Sequence, residues 1–168
     1  MRFKQQEEKQ EDNKQLYSAF TKILQIEEDK LSLIEAAMSY FYMHGNMEYK
    51  KFFKYLYQAC LKCKLGMQFF LYEVFEEVPE RTIHPVKLDN LTEDIKIFEL
   101  LASAEDEYAD EMSKALDIAY DSKDWKSLNY LLNEFEKIDH LCCRATAAVK
   151  SGNSLLDLIP CEQPSTDK

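Results

Sequence analysis

Turn-forming residues are scarce: 3 Gly and 4 Pro in 168 residues. So few breakers leave few places to turn, which favours long helices and excludes a sheet of many short strands. No basic stripe is present either. Asp and Glu outnumber Lys and Arg by 31 to 21, for a net charge of −10. That balance argues against nucleic acid and against anionic membrane surfaces as partners. No run approaches the ~20 consecutive apolar residues of a membrane span. The first residues, "MRFKQQEEKQEDNKQ", lack the apolar core of a signal peptide. Cysteines number 5, an odd count scattered through helical segments. This fits a reduced cytoplasmic protein better than a disulfide framework.

What is present is an amphipathic helical pattern. Residues 1–13 have almost nothing to bury and read as a disordered charged arm, and 160–168 as a polar tail. Between them, 14–159 reads as one helical bundle. A first helix runs from Lys14 to His44 with the stripe Leu24, Glu28, Leu31, Glu35, Met38 and Tyr42. Gly45 and Asn46 stop it and cap a second, which presents Phe52, Leu56, Cys63, Gly66 and Phe70 on one face. Pro79 and Pro85 make 78–90 a connection, and Asn90 with Glu93 resembles a capping box. The third helix carries Ile95, Phe98, Ala102, Glu105, Met112 and Ala119 inward. "DSKD" (121–124) caps a fourth, with Trp125, Leu128, Leu132, Phe135, Asp139, Cys142 and Thr146 on its stripe up to Gly152. Residues 154–159 form a short fifth helix before Pro160.

Helices of roughly 27–31 residues are ~40–46 Å long. The middle connection of about 13 residues spans at most ~43–47 Å, one helix length, so helices two and three run parallel. The expected architecture is an all-α, ferritin-like four-helix bundle with one long crossover.

Each inward stripe is apolar except near its middle, where Glu28, Cys63, Glu105 and Asp139 fall. Midpoints of aligned helices share a level, so three carboxylates and a thiol are expected to converge. Unpaired buried carboxylates are costly, and no Lys or Arg lies on these stripes at that depth. Two readings stay open: a divalent metal held by Glu28, Glu105, Asp139 and Cys63, or a wet, partly protonated pocket. His44, His84 and His140 do not follow a Glu by three residues, so the Glu-x-x-His pair of di-iron sites is absent. A softer, zinc-preferring site with Cys63 and Cys142 is an alternative. The Cys60-x-x-Cys63 pair lies in a helix with no strand before it, so it does not read as a redox motif.

"EAAMSYFYMHGNMEYKKFFKYL" (35–56) resembles the first turn between helices in ferritins. "ALDIAYDSKDWKSLNYLLNEF" (115–135) is similar to their passage from third to fourth helix. The resemblance extends over about 14–159. It implies an iron-binding or iron-storing subunit of a 24-subunit cage, homo-oligomeric or co-assembled with other ferritin subunits, the fifth helix lining a channel. It matches Glu28 and Glu105 to family oxidation-site ligands and Asp139 to a position held by Gln or an acid. The bridging Glu becomes Cys63, however, and the ligand His becomes Gly66. Gln58, Leu61, Lys62 and Leu65 stand where ferritins present nucleating glutamates, and Asn129 and Leu132 where they line an iron channel. The expectation is therefore an iron-handling subunit that is not itself a ferroxidase and holds at most a single metal. The alternative is a structural subunit that handles none.

Overall fold

The computed structural model describes residues 2–160, with side chains from Gln10 onward. The elements are α1 (Arg2–Met43), α2 (Met47–Phe75), α3 (Asp94–Asp121), α4 (Trp125–Glu136) and α5 (Leu141–Lys150), plus 3₁₀ turns at Leu88–Asn90 and Leu156–Leu158. No strand occurs among the described residues, and none of their helices is long and apolar enough to cross a membrane. The bundle with a single long crossover is as expected.

Its corners form for the expected local reasons. Gly45 takes φ +72, a left-handed conformation that needs no Cβ relief, and Asn46 Oδ1 then accepts the Tyr49 N–H. Asp124 Oδ1 accepts the Ser127 N–H at the start of α4. The start of α3 differs from the Asn90 capping box. Asn90 closes a 3₁₀ turn, and the helix begins at Asp94 with Glu93 as an N-cap whose side chain makes no capping bond. The segment read as a charged arm continues α1 as helical backbone from Arg2. Its Gln, Glu and Lys residues are good helix formers. The expected fifth helix is reduced to the single turn 156–158, and the tail beyond Pro160 lies outside the described residues.

The crossover from Glu77 to Lys87 has no regular secondary structure and is strapped to α1. The Gln25 amide donates to the Thr82 carbonyl at 2.8 Å and accepts its N–H at 3.0 Å. His84 Nδ1 lies 2.8 Å from Asp29 Oδ1. Gln25, Glu28 and Asp29 share one helical face at spacings of three and four. Glu28 belongs to this strap. Its carboxylate meets Lys64 of α2 at 2.8 Å and Arg81 of the crossover at 3.4 Å.

The core has two apolar halves. One is built around Phe98, whose ring centroid lies 5.2 Å from those of Phe53 and Tyr49 and 6.1 Å from those of Phe41 and Phe52. The other holds Phe20, Ile23, Met67, Leu71, Met112 and Leu131, all fully buried, with Phe70 stacked on Tyr130 at 4.0 Å. Between the halves runs a polar level, as the midpoint argument requires, but with different occupants. On α1 the face toward the core is Phe20, Ile23, Glu27, Lys30, Ile34 and Phe41, one residue from the expected stripe at Glu28, Glu35 and Tyr42.

The fourth helix is the largest departure. It is broken at 137–140 into α4 and α5, with His140 in a left-handed conformation (φ 52, ψ 39). On α4 the buried residues are Ser127 and Leu131, while Trp125, Leu132 and Phe135 are exposed. The stripe expected through Trp125, Leu132, Phe135 and Asp139 is thus turned away from the core, again by one residue. On α5, Cys142 and Thr146 are buried as expected.

Candidate functional site

The polar level borders a cavity of about 660 Å³. It lies between α1, α2, α3 and the broken fourth helix, with Lys137, Ile138 and Asp139 of the break among its lining residues. Of the four expected ligands, only Cys63 and Glu105 join it as inward side chains. Glu28 is engaged in the crossover strap. Asp139 lies near the rim with its side chain 60% exposed, paired to Arg144 at 3.0 Å. Its Oδ1 accepts the Leu141 N–H, so Asp139 shapes the entry into α5.

Glu105 has a definite task. Its two carboxylate oxygens accept the N–H groups of Cys142 and Cys143 at 3.2 and 3.1 Å. These are among the orphan donors at the start of α5. A carboxylate facing a helix N-terminus also complements the positive end of the helix dipole. One side chain from α3 thus caps a helix that the chain break would otherwise leave open.

Glu27 and Lys30 are the buried charges that the sequence reading missed. Their side chains are 2% and 8% exposed and meet at 2.9 Å. The expectation that no cation reaches this level is therefore corrected: Lys30 does. Its ammonium also stands over the Tyr108 ring, 5.1 Å from the centroid, a cation–π contact. Burial alone would lower the Lys30 pKa, but Glu27 and the neighbouring Cys60 and Cys142 raise it overall. The lysine remains charged. Glu27 Oε2, also buried, has no hydrogen-bond partner among the described residues and leaves one acceptor at the cavity.

The thiols are neutral. Cys63 Sγ lies 3.3 Å from the Tyr108 hydroxyl and donates to Glu134 Oε2 at 3.5 Å. Burial, then Glu27, pushes its pKa up to about 12. Cys60 is buried in the core and is also pushed up to about 12, by burial against the lowering effect of Lys30. Cys143 is pushed up to about 11 by burial and by Glu105 and Asp106. Thiols this resistant to ionisation are poor nucleophiles, consistent with packing rather than redox exchange for Cys60-x-x-Cys63. They carry a stability consequence. The folded pKa lies above the unfolded value, so the thiols' contribution is complete below about pH 8.5 and is lost as pH rises toward 12. Urea midpoints measured from pH 7 to 11 are expected to stay level to about pH 8.5 and then fall. Replacing Cys60 and Cys63 by Ser should flatten that fall.

No family model matches the sequence, and no curated protein matches it. Solved structures do. The chain is similar to crystal structures of a Glu-to-Gln variant of the ferritin PmFTN soaked in iron for 45 and 5 min, both with a TM-score of 0.66. Identity is 13% and 12%; 88% and 86% of this chain and 99% and 96% of those chains are covered. The fold is ferritin-like.

The di-iron centre that the ferritin resemblance brings with it does not fit these residues. The Lys30 ammonium stands beside the inward Glu27, and Glu28 is held by Lys64 and Arg81. Cys63 and Gly66 replace the bridging and imidazole ligands that the resemblance called for. What the arrangement does chemically is neutralise its own central charge.

Proposed function

We propose that this chain is a non-oxidising, ferritin-like cytoplasmic subunit that takes part in binding or storing iron as cargo. It has at most a single-metal centre and assembles with copies of itself or with other ferritin subunits. The observation that carries the non-oxidising reading is the buried Glu27–Lys30 pair: positive charge at the bundle centre comes from a lysine. The likeness in fold to a ferritin crystallised and soaked in iron supports the iron-handling reading. Assembly is supported by Leu65, Phe69 and Tyr72, an exposed apolar stripe on one face of α2 that a neighbouring subunit would cover.

The test is aerobic Fe(II) addition followed by gel filtration, with and without a co-expressed ferritin subunit that oxidises iron. The expected result is an oligomer whose own Fe(II) oxidation is no faster than in buffer, yet which retains many irons per subunit once oxidised iron is supplied. Rapid oxidation by the chain alone would overturn the non-oxidising reading.

A second reading is a structural subunit that handles no metal. It is favoured by the partners already held by the expected ligands: Lys64 and Arg81 on Glu28, two backbone N–H groups on Glu105, Arg144 on Asp139, and Tyr108 and Glu134 on Cys63. Absence of retained iron in both assemblies would select it.

A further inference from the structure

The break in the fourth helix brings Glu105 together with His140 and Cys143, two residues that neither the iron reading nor the central ion pair uses. One donor atom each from Glu105, His140 and Cys143 lies within 4.8 Å of the others. Glu105 comes from the middle of α3; His140 is the N-cap residue of α5, and Cys143, three residues on, lies in its first turn. We infer that Glu105, His140 and Cys143 form a binding site for one zinc-class divalent ion, with Asp106 beside it as a fourth ligand.

The donor set selects the class of ion. One imidazole nitrogen, one sulfur and one or two carboxylate oxygens suit a borderline-soft cation, whereas calcium and magnesium prefer oxygen alone. Tetrahedral zinc, with bonds of ~2.0–2.3 Å, sets its ligands roughly 3.3–3.7 Å apart. The present spread closes to that with about an ångström of side-chain movement.

The ligands are arranged for such a closure. Glu105 is 7% exposed and fixed by its bonds to the Cys142 and Cys143 N–H groups. A carboxylate has about four lone-pair sites, so two backbone bonds leave room for a metal. Cys143 Sγ already points toward α3, donating to Asp106 Oδ1 at 3.7 Å. The exposed His140 ring makes no hydrogen bond among the described residues, and no side-chain bond caps α5 from this position. The site shares Glu105 with the expected iron ligands but uses none of the others, so it stands whether or not the chain handles iron. It is also distinct from a zinc site at Cys63 and Cys142.

The test uses the full chain stripped of metal, titrated with Co(II) and then with Zn(II). The expected result is one ion per chain, a thiolate-to-cobalt charge-transfer absorption, displacement of cobalt by zinc, and a higher melting temperature with zinc. Cys143→Ser should abolish the charge-transfer band. His140→Asn removes the imidazole while keeping a residue that tolerates the left-handed conformation, and should weaken zinc binding at least tenfold. Cys63→Ser should leave the band and the affinity unchanged. Absence of binding by the wild type, a band that survives in Cys143→Ser, or a band lost in Cys63→Ser would each overturn the assignment.

Discussion

Replacing Lys30 with methionine is expected to lower stability by about 3–5 kcal/mol, because it leaves the Glu27 carboxylate buried without its cation. The expected magnitude follows from where the pair sits. Both side chains are under one-tenth exposed, so solvent cannot take over the role of the ammonium as it would at the surface. Lys30 also contributes the contact over the Tyr108 ring. The double variant Glu27→Leu, Lys30→Met removes both charges together and should recover most of the loss, and can even exceed the wild type. Urea unfolding of the three proteins reads this directly, as a midpoint shift at unchanged slope. A single variant costing under about 1 kcal/mol would mean that the pair is solvated and that the bundle centre is not closed by lysine. The recovery in the double variant matters equally. If it fails, the two residues have packing roles that charge does not explain.

The polar level shows what the sequence pattern carries and what it does not. That a polar layer crosses the bundle at mid-height was legible, because helix midpoints align whatever their direction, and Glu105 was found at once. The register on α1 was not. Leu24 and Leu31 belong to both the expected and the observed face, and a step of three or four from Leu24 reaches Glu27 or Glu28 equally well. The deciding signal was farther along: Ile34, Ala37 and Phe41 continue the face that contains Glu27, whereas Glu35, Met38 and Tyr42 continue the one that contains Glu28. Counting apolar residues over the whole helix would have selected the first. On α3 no such ambiguity arose, because Phe98, Glu105, Met112 and Ala119 recur at sevens and all are buried.

The helix break was hidden for a different reason. Residues 137–140, Lys-Ile-Asp-His, contain neither Gly nor Pro, and the stripe from Phe135 through Asp139 to Cys142 continues smoothly across them. What stabilises the break is remote in sequence: Glu105, more than 30 residues earlier, satisfies the N–H groups that a continuous helix would have bonded to its own carbonyls. Local pattern cannot report a partner of that kind. Its consequence is functional, since the break supplies part of the cavity lining and gathers His140 and Cys143 against α3.

Glu105→Ala puts the dependence of the break on this one carboxylate to the test, and a loss of about 2–4 kcal/mol is expected in metal-free buffer. Losing a helix cap costs about 1 kcal/mol. Leaving two N–H groups without a partner beside a buried thiol adds a desolvation term of about 1–3 kcal/mol. Amide hydrogen exchange should localise the damage, with Cys142 and Cys143 losing protection first and α5 fraying behind them, while α2 keeps its own. Glu105→Gln should fall between, since its amide oxygen can accept one N–H while its NH₂ faces the other. A carboxylate that only bound metal would behave otherwise. Its removal in metal-free buffer would relieve buried charge and raise stability. Because Cys143→Ser removes a metal donor but keeps the backbone N–H that Glu105 receives, it should leave metal-free stability and α5 protection near the wild type. The pair of variants thus separates the structural work of Glu105 from any metal it helps to hold.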